Sequence, residues 1–276
     1  MTIYKNNKKE ETSMIGISTA SLFGRYYNED ALPILDKTDA RVVEVFLETY
    51  CEYKEEFAKL LNERKGSLRV HSIHTLNTHF EPQLFSDCER TRNDALAIYE
   101  ECLRSAEILG ATAYTLHGKA RFKKGVKYEN YEQIGEYMTT LCEMAKKHGV
   151  DLCLENVEWA YYNKPGFFKN VKKYCPEMCA CLDIKQAHVS GFDYKEYIEE
   201  MGDGIRTVHL SDLDGNGRTA LPGKNGKFDF EELFRILAAN GFKGDCLIEV
   251  YKDNFQTIEE LKGSLDYLRN IEEKIF

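Results

Sequence analysis

Long hydrophobic runs are absent from this sequence of 276 residues, and so is any surplus of positive charge. No apolar stretch approaches the ~20 residues that a membrane-spanning helix needs, so we expect no membrane partner. The first residues, MTIYKNNKKEETSM, lack the apolar core of a secretory signal, and we interpret residues 1–13 as a polar tail and 14–276 as a single domain. The net charge of −9 disfavours a nucleic-acid partner.

Paired cysteine motifs are absent as well. The nine cysteines are scattered without a CxxC pair, and Cys153, Cys181 and Cys246 fall on predicted strands. Buried, reduced thiols are typical of cytosolic proteins, in which disulfides are rare. We therefore predict a cytoplasmic protein.

Four short apolar runs in the second half of the chain end, or nearly end, in a side chain that can bind a metal ion. They are LCLE, ACLD, TVH and CLIE, and they finish at Glu155, Asp183, His209 and Glu249. A buried strand of a parallel sheet is a continuous apolar run, so a charge at its end marks where the strand leaves the core. The recurrence predicts functional side chains at four strand ends.

Strands and helices alternate along the chain. Strands are predicted over 14–19, 41–47, 68–73, 112–117, 151–155, 180–183, 205–209 and 245–250, and helices over 29–37, 53–64, 87–109, 130–148, 167–174, 194–201, 228–240 and 257–271. Eight such units in ~250 residues predict a (β/α)8 TIM barrel, an α/β fold. An open doubly wound sheet is the competing architecture, but no GxGxxG follows the first strand, and the functional side chains come from six strands. Glu44 interrupts the apolar run of the second strand.

The carboxyl ends of the strands in such a barrel meet at one active site. The candidate side chains at those ends are His71, His117, Glu155, Asp183, His209 and Glu249. One such histidine alone would more often be a core residue, but three carboxylates buried together without a cation would be costly. Oxygen and imidazole ligands without a thiolate suit Mn²⁺ or Mg²⁺ and tolerate Zn²⁺ and Co²⁺. We predict one divalent metal ion, with Mn²⁺ as the first choice.

Several motifs resemble those of a known family, the xylose isomerase-like barrels. The motifs are LCLEN (152–156), CLDIKQA (181–187), VHLSD (208–212), LPGKNGKFDF (221–230) and LIEVY (247–251). The family includes sugar-phosphate isomerases, ketose 3-epimerases and apurinic-site endonucleases, and the resemblance covers nearly the whole chain from Met14. It implies that Glu155, Asp183, His209 and Glu249 bind the metal and that His71 and His117 line the substrate pocket.

Such a site can move a proton next to a carbonyl group. A divalent ion that chelates a carbonyl and an adjacent hydroxyl acidifies the C–H between them, so that an enediolate can form. By resemblance to the epimerases, Glu155 and Glu249 would remove and return the proton; the alternative is that both are ligands only. We therefore predict a metal-dependent isomerase or epimerase, in carbohydrate metabolism, that acts on a small sugar or sugar phosphate.

Two other functions stay open. The apurinic-site endonucleases are phosphodiester hydrolases with three zinc ions, and their third ion needs a histidine shortly after the strand-six aspartate and an Asp-x-His after strand seven. This chain has Gln186 at the first place and no histidine between residues 213 and 230, although a two-ion site around His71, His117 and Glu155 survives. A non-catalytic sugar-binding barrel would be marked by a lost ligand, and none of the four is lost.

Smaller signals concern the substrate. His188 could bond a substrate hydroxyl, although an exposed loop histidine is an equally good explanation. Trp159 could form an apolar wall, and Lys185 and Arg218 could hold a phosphate, although simple packing for the first and solvation for the other two are the more frequent explanations. The glycine-rich loop 213–227 could close over the site. We interpret His74, His79 and His148 as structural or surface residues. A homo-oligomer stays open.

Overall fold

Eight parallel strands close into a barrel in the computed structural model, which describes residues 13–76, 79–121, 130–224 and 226–276. The strands are β1 (Ile15–Ser18), β2 (Val42–Leu47), β3 (Arg69–Thr75), β4 (Ala113–Leu116), β5 (Asp151–Glu155), β6 (Cys179–Asp183), β7 (Ile205–Leu210) and β10 (Asp245–Ile248). They pair in sequence order, and β10 pairs with both β7 and β1 to close the ring. The predicted (β/α)8 fold is therefore confirmed. Residues 1–12 of the predicted tail lie outside the described residues.

Helices follow the strands around the outside of the barrel. They are α1 (Asn28–Asp36), α2 (Glu55–Arg64), α3 (Glu89–Leu109), α4 (Tyr131–Lys147), α5 (Phe167–Lys172), α6 (Ile184–Ser190), α7 (Tyr194–Met201), α8 (Phe230–Ala239) and α9 (Ile258–Glu272). Helix α6 is not among the predicted helices. It starts directly after β6, because the Asp183 carboxylate accepts a hydrogen bond of 2.8 Å from the backbone N–H of Gln186 and so caps it.

The glycine-rich segment after β7 contains a small hairpin. Its antiparallel strands are β8 (Asp212–Leu213) and β9 (Thr219–Ala220). The Asp212 carboxylate accepts hydrogen bonds from the backbone N–H groups of Leu213, at 2.8 Å, and Phe228, at 2.9 Å. Part of the predicted loop 213–227 is therefore ordered by its own contacts. Asn225 lies outside the described residues.

The barrel interior carries small and polar side chains beneath its carboxyl end. Because side chains alternate along a strand, Cys153 shares a face of β5 with Glu155, and Cys181 shares a face of β6 with Asp183. With Ala113 and Cys179, these two cysteines form a buried cluster separate from the main core. All nine cysteines are free. In the described part of the chain, we find no helix with the length and hydrophobicity to cross a membrane.

Candidate metal centre

Four side chains that end neighbouring strands come together at the carboxyl end of the barrel. Glu155 and Asp183 are the last residues of β5 and β6, His209 is the next-to-last residue of β7, and Glu249 directly follows β10. One donor atom from each lies within 4.8 Å of the others. Side-chain exposure is only 1–2% for the first three and 13% for Glu249. The structure thus brings all four predicted metal ligands into one cluster.

Three oxygen atoms of this cluster fit a cation. Oε2 of Glu155, Oδ2 of Asp183 and Oε2 of Glu249 are buried and have no hydrogen-bond partner of good geometry among the described residues, although Nδ1 of His209 lies 3.0 Å from Oε2 of Glu249. A buried carboxylate oxygen without a partner is costly, so buried polar atoms normally find one. Three carboxylates and one imidazole form a donor set that binds divalent cations such as Mn²⁺, Mg²⁺ or Zn²⁺. The residues present therefore fit the predicted metal.

His209 lies between the carboxylates of the cluster and a deeper carboxylate, that of Glu44. Its Nδ1 is 3.2 Å from Oε1 of Glu155 and 3.0 Å from Oε2 of Glu249. Its Nε2 is 3.2 and 3.3 Å from the two oxygens of Glu44. Burial alone would lower the pKa of His209, but Cys181, Glu249 and Glu44 outweigh this effect and hold that pKa well above its usual value. Without a metal, a charged imidazolium therefore balances the carboxylates.

The carboxylates of the cluster differ in how readily they ionise. Burial raises the pKa of Asp183 to about 7, although the charge of Lys185 opposes that effect. Burial also disfavours the charged form of Glu249, but Lys185 and His209 outweigh it and hold the pKa of this carboxyl well below its usual value. The pKa of Glu155 is likewise lowered, because the His209 hydrogen bond and charge exceed the effect of burial. Asp183 is therefore the carboxylate that most readily keeps a proton.

Lys185 is held against two of the carboxylates. Its Nζ lies 3.5 Å from Oδ2 of Asp183 and 3.7 Å from Oε2 of Glu249, and 4.9 Å from the centre of the Tyr251 ring. The side chain is only 7% exposed. Burial disfavours its charge, but Asp183 and Glu249 outweigh it and raise the pKa of Lys185. The sequence predicts that this lysine contacts the substrate. The structure places it at the site, where Asp183 and Glu249 already pair with its charge.

Two histidines border Glu155 on its other side. Nε2 of His117, just after β4, is 3.6 Å from Oε2 of Glu155, and Nε2 of His74, on β3, is 4.0 Å from the same oxygen. With Glu155 they form a second group that could hold a metal. Nδ1 of His117 is 3.1 Å from Oε2 of the fully buried Glu81. Burial lowers the pKa of His117, but the Glu81 hydrogen bond and charge outweigh it and raise that pKa.

His71 lies at the opposite, amino-terminal end of the barrel, which corrects its expected place in the pocket. Its Nδ1 is 2.7 Å from Oδ2 of Asp245, the first residue of β10, and its Nε2 is 2.9 Å from Oγ1 of Thr207. The physical reason is its position in β3, where it is the third of seven residues. His74, expected to be structural, takes the position near Glu155 because β3 continues through Thr75.

The remaining expected substrate residues are spread over the mouth and the hairpin. The Trp159 ring is 5.3 Å from the His117 ring, so it borders the site. His188, on α6, is exposed and lies beside Gly217 of the β8–β9 hairpin. Arg218, in the same hairpin, is exposed, and its backbone N–H donates to Oδ1 of Asp214. The structure therefore brings Trp159 against His117, which borders Glu155. It does not bring His188 or Arg218 into contact with these residues.

Glu44 is a charged residue that contacts the cluster and that the strand-end pattern does not include. It lies inside β2 and is fully buried. Burial disfavours its charge, but His209 outweighs it through charge and hydrogen bonding, and the pKa of Glu44 falls to about 2. The available signal was its charge in an otherwise apolar strand. Glu81, which binds His117, lies in the 3-10 turn Glu81–Phe85 and gave no comparable signal.

Comparisons with known proteins agree with this architecture. Residues 32–271 match the family model described as the xylose isomerase-like TIM barrel. The fructoselysine 3-epimerase of Escherichia coli O157:H7 is 29% identical over 124 residues, which cover 43% of this chain and 45% of that protein, so the match spans less than half of its length. The L-ribulose-5-phosphate 3-epimerase UlaE of Salmonella typhi is 23% identical over 221 residues, 79% of this chain and 76% of that protein. A solved structure of the IOLI protein with a bound zinc atom has a TM-score of 0.77 at 17% identity, over 95% of this chain and 99% of that one.

Proposed function

The chain belongs to the xylose isomerase-like TIM barrel family, and we propose that it is a divalent-metal-dependent sugar isomerase or epimerase. The observation that carries this proposal is the convergence of three buried carboxylates on His209, each with one oxygen that has no hydrogen-bond partner of good geometry among the described residues. Such a set is costly in a fold that binds no cation. The two curated relatives, both named 3-epimerases, support the epimerase over the isomerase.

Glu155, Asp183, His209 and Glu249 would hold the metal, for which Mn²⁺ is our first choice and Zn²⁺ is supported by the bound zinc of the IOLI protein. A divalent cation in this position would polarise a sugar carbonyl and acidify the C–H beside it. The protein's own task is then to take a proton from that carbon and to return one.

Glu155 and Glu249 are the residues proposed for that task. Both have a lowered pKa in the metal-free protein, so both are ionised at neutral pH, which is the form of a carboxylate that can accept a proton. They come from β5 and from the end of β10, and β6 and β7 lie between these strands in the barrel. Because epimerisation removes a proton from one face of a carbon and returns one to the other, it needs two such groups, whereas isomerisation can work with one.

The substrate would be a small sugar or sugar phosphate bordered by His117 and Trp159. Lys185 would fix a hydroxyl or a phosphate only by sharing the charge that it now directs at Asp183 and Glu249. His188 and Arg218 would contact the substrate only by way of the β8–β9 hairpin, which carries Arg218 and lies beside His188. We also propose a cytoplasmic location, which the free and mostly buried cysteines support.

The proposal is tested by exchange of substrate C–H for deuterium. Protein loaded with Mn²⁺ in D₂O should incorporate deuterium into a ketose or ketose phosphate from a panel of both kinds. Glu155→Gln and Glu249→Gln should each lower exchange at least about 100-fold, because general-base catalysis contributes that much. The matched control is Glu200→Gln, since Glu200 is a half-buried glutamate that bonds Tyr162 and Gly166, away from the cluster. If both cluster variants retain full exchange, the proton-transfer role is wrong.

A second candidate is a metal-dependent phosphodiester hydrolase, which the group His74, His117 and Glu155 favours because it could hold a second ion. Counting metal ions per chain in protein purified without chelator separates the two. About one ion supports the epimerase or isomerase, and two or more zinc ions favour the hydrolase.

A further inference from the structure

Glu44 is a charged residue at the centre of the barrel that the proposed reaction does not use. Both of its oxygens are engaged: Oε1 accepts from Oγ of Ser18 at 2.9 Å, and Oε2 accepts from Oγ of Ser72 at 2.7 Å and Oγ1 of Thr115 at 3.0 Å. The remaining contact is Nε2 of His209, at 3.2–3.3 Å. Donors from β1, β3, β4 and β7 thus converge on one carboxylate from β2.

This arrangement determines which nitrogen of His209 carries a proton toward Glu44. Hydroxyl groups that donate to a carboxylate leave it ionised, and an ionised carboxylate only accepts hydrogen bonds. Nε2 must therefore donate, because an unprotonated Nε2 would place its lone pair against the negative charge. The other nitrogen, Nδ1, then faces Glu155 and Glu249, and it lies 4.0 Å from Oδ2 of Asp183.

Glu44 and the cluster carboxylates differ in the hydrogen bonds that their oxygens accept. The oxygens of Glu44 accept hydrogen bonds from protein donors, whereas one oxygen in each of Glu155, Asp183 and Glu249 has no hydrogen-bond partner of good geometry among the described residues. Glu44 is thus a satisfied anion that binds the rear of the imidazole, and the other three leave oxygens for a cation at its front. A carboxylate behind a metal-binding histidine commonly fixes the ring and raises its basicity.

We propose that Glu44 is a positioning residue that holds His209 with Nε2 protonated, so that Nδ1 is the atom offered to a divalent cation. The inference rests on the proposed metal dependence but not on the identity of the substrate. Ser18, Ser72 and Thr115 in turn hold Glu44 in place.

The first test needs no variant. In protein labelled with ¹⁵N-histidine and loaded with Zn²⁺, the His209 ring should show a proton on Nε2 and none on Nδ1, with the signal assigned by its loss in His209→Asn. A His209 ring protonated on Nδ1 in the loaded protein would overturn the inference.

The second test measures metal affinity with Co²⁺, whose visible spectrum reports ligand geometry. Glu44→Gln keeps the shape of the side chain and removes its charge, and we expect Co²⁺ affinity to fall about 10–100-fold with a changed spectrum. Glu81→Gln is the matched control, because Glu81 is also fully buried and also bonds a histidine, His117, at 3.1 Å. It should retain affinity within about twofold if the cation binds the four-residue cluster.

The outcomes separate this inference from the proposed function. Equal Co²⁺ affinity in wild type and Glu44→Gln, or equal losses in Glu44→Gln and Glu81→Gln, would overturn the role of Glu44 alone. Tight Co²⁺ binding by the wild type without any deuterium exchange into sugars would overturn the proposed reaction and leave Glu44 in its role.

Discussion

Metal affinity should rise steeply between pH 6 and pH 8, because the cation must displace protons from the cluster. Burial raises the pKa of Asp183 to about 7, so this carboxylate is about nine-tenths protonated at pH 6 and about one-tenth protonated at pH 8. The pKa of His209 lies well above its usual value, so its Nδ1 also carries a proton that the metal must displace. Glu155 and Glu249, whose pKa values are lowered, are ionised throughout and contribute no slope.

The size of the effect follows from these proton counts. Protonation of Asp183 alone should lower metal affinity about tenfold from pH 8 to pH 6. Displacement of the Nδ1 proton of His209 adds at most about tenfold for each pH unit over which that nitrogen is protonated. Together the two groups predict that metal affinity is up to about a thousandfold lower at pH 6 than at pH 8. Affinity falls on acidification because both groups bind protons that the metal must displace.

The assay is competition between the protein and a chelating dye for Mn²⁺ or Zn²⁺ at pH 6, 7 and 8. Asp183→Asn removes one of the two titrating groups, so its affinity should be lower at pH 8 but should fall about tenfold less than that of the wild type on acidification. Equal wild-type affinity at pH 6 and pH 8 would refute the reasoning. A variant with the full wild-type slope would show that Asp183 is already ionised at pH 6.

The barrel was predictable because its strands are short apolar runs bounded by charges and alternate with amphipathic helices. Helix α6 escaped prediction for a local reason. It follows β6 without a loop, and the residue that caps it, Asp183, is also the expected metal ligand. Because Asp183 was interpreted as a metal ligand, its second role as the N-cap of a helix was not considered.

The histidines of β3 show where strand patterns lose their power. The apolar run ends at Ile73, but backbone pairing with β2 continues to Thr75 and carries His74 to the carboxyl end. The register between β2 and β3 also shifts at Val43–Glu44, beside His71. Such a shift changes which side chains face inward, and it depends on the neighbouring strand rather than on local sequence. The prediction of His71 was therefore wrong because β3 runs two residues beyond its apolar run, which leaves His71 near the start of the strand and places His74 beside Glu155.

Glu44 shows the converse, a signal that was visible but could not be interpreted from the sequence. Its charge in an apolar strand indicated something unusual. Its function depends on partners on four other strands, Ser18, Ser72, Thr115 and His209, that only the closed barrel brings together.

Two further predictions separate residues that stabilise the fold from residues that serve the site. His71→Ala should lower the free energy of unfolding, measured in urea, by about 1–3 kcal/mol. It removes the buried partner of Thr207 and one of two partners of Asp245, which keeps its hydrogen bonds from the half-exposed Arg69. Metal affinity should stay unchanged, and a loss of metal binding would place His71 back in the site. Asp183→Asn should make the metal-free protein more stable at pH 8. The reason is that the folded-state pKa of Asp183 is raised, so its contribution to stability falls as pH rises from about 4 to about 7, at a cost of at most about 4 kcal/mol. Metal at about 1,000 times its Kd should return about 4 kcal/mol to the wild type and much less to the variant, so thermal unfolding should reverse the order of stability. If the metal-free variant is less stable than the metal-free wild type at pH 8, the ionised Asp183 does not destabilise the fold, and this reasoning is wrong.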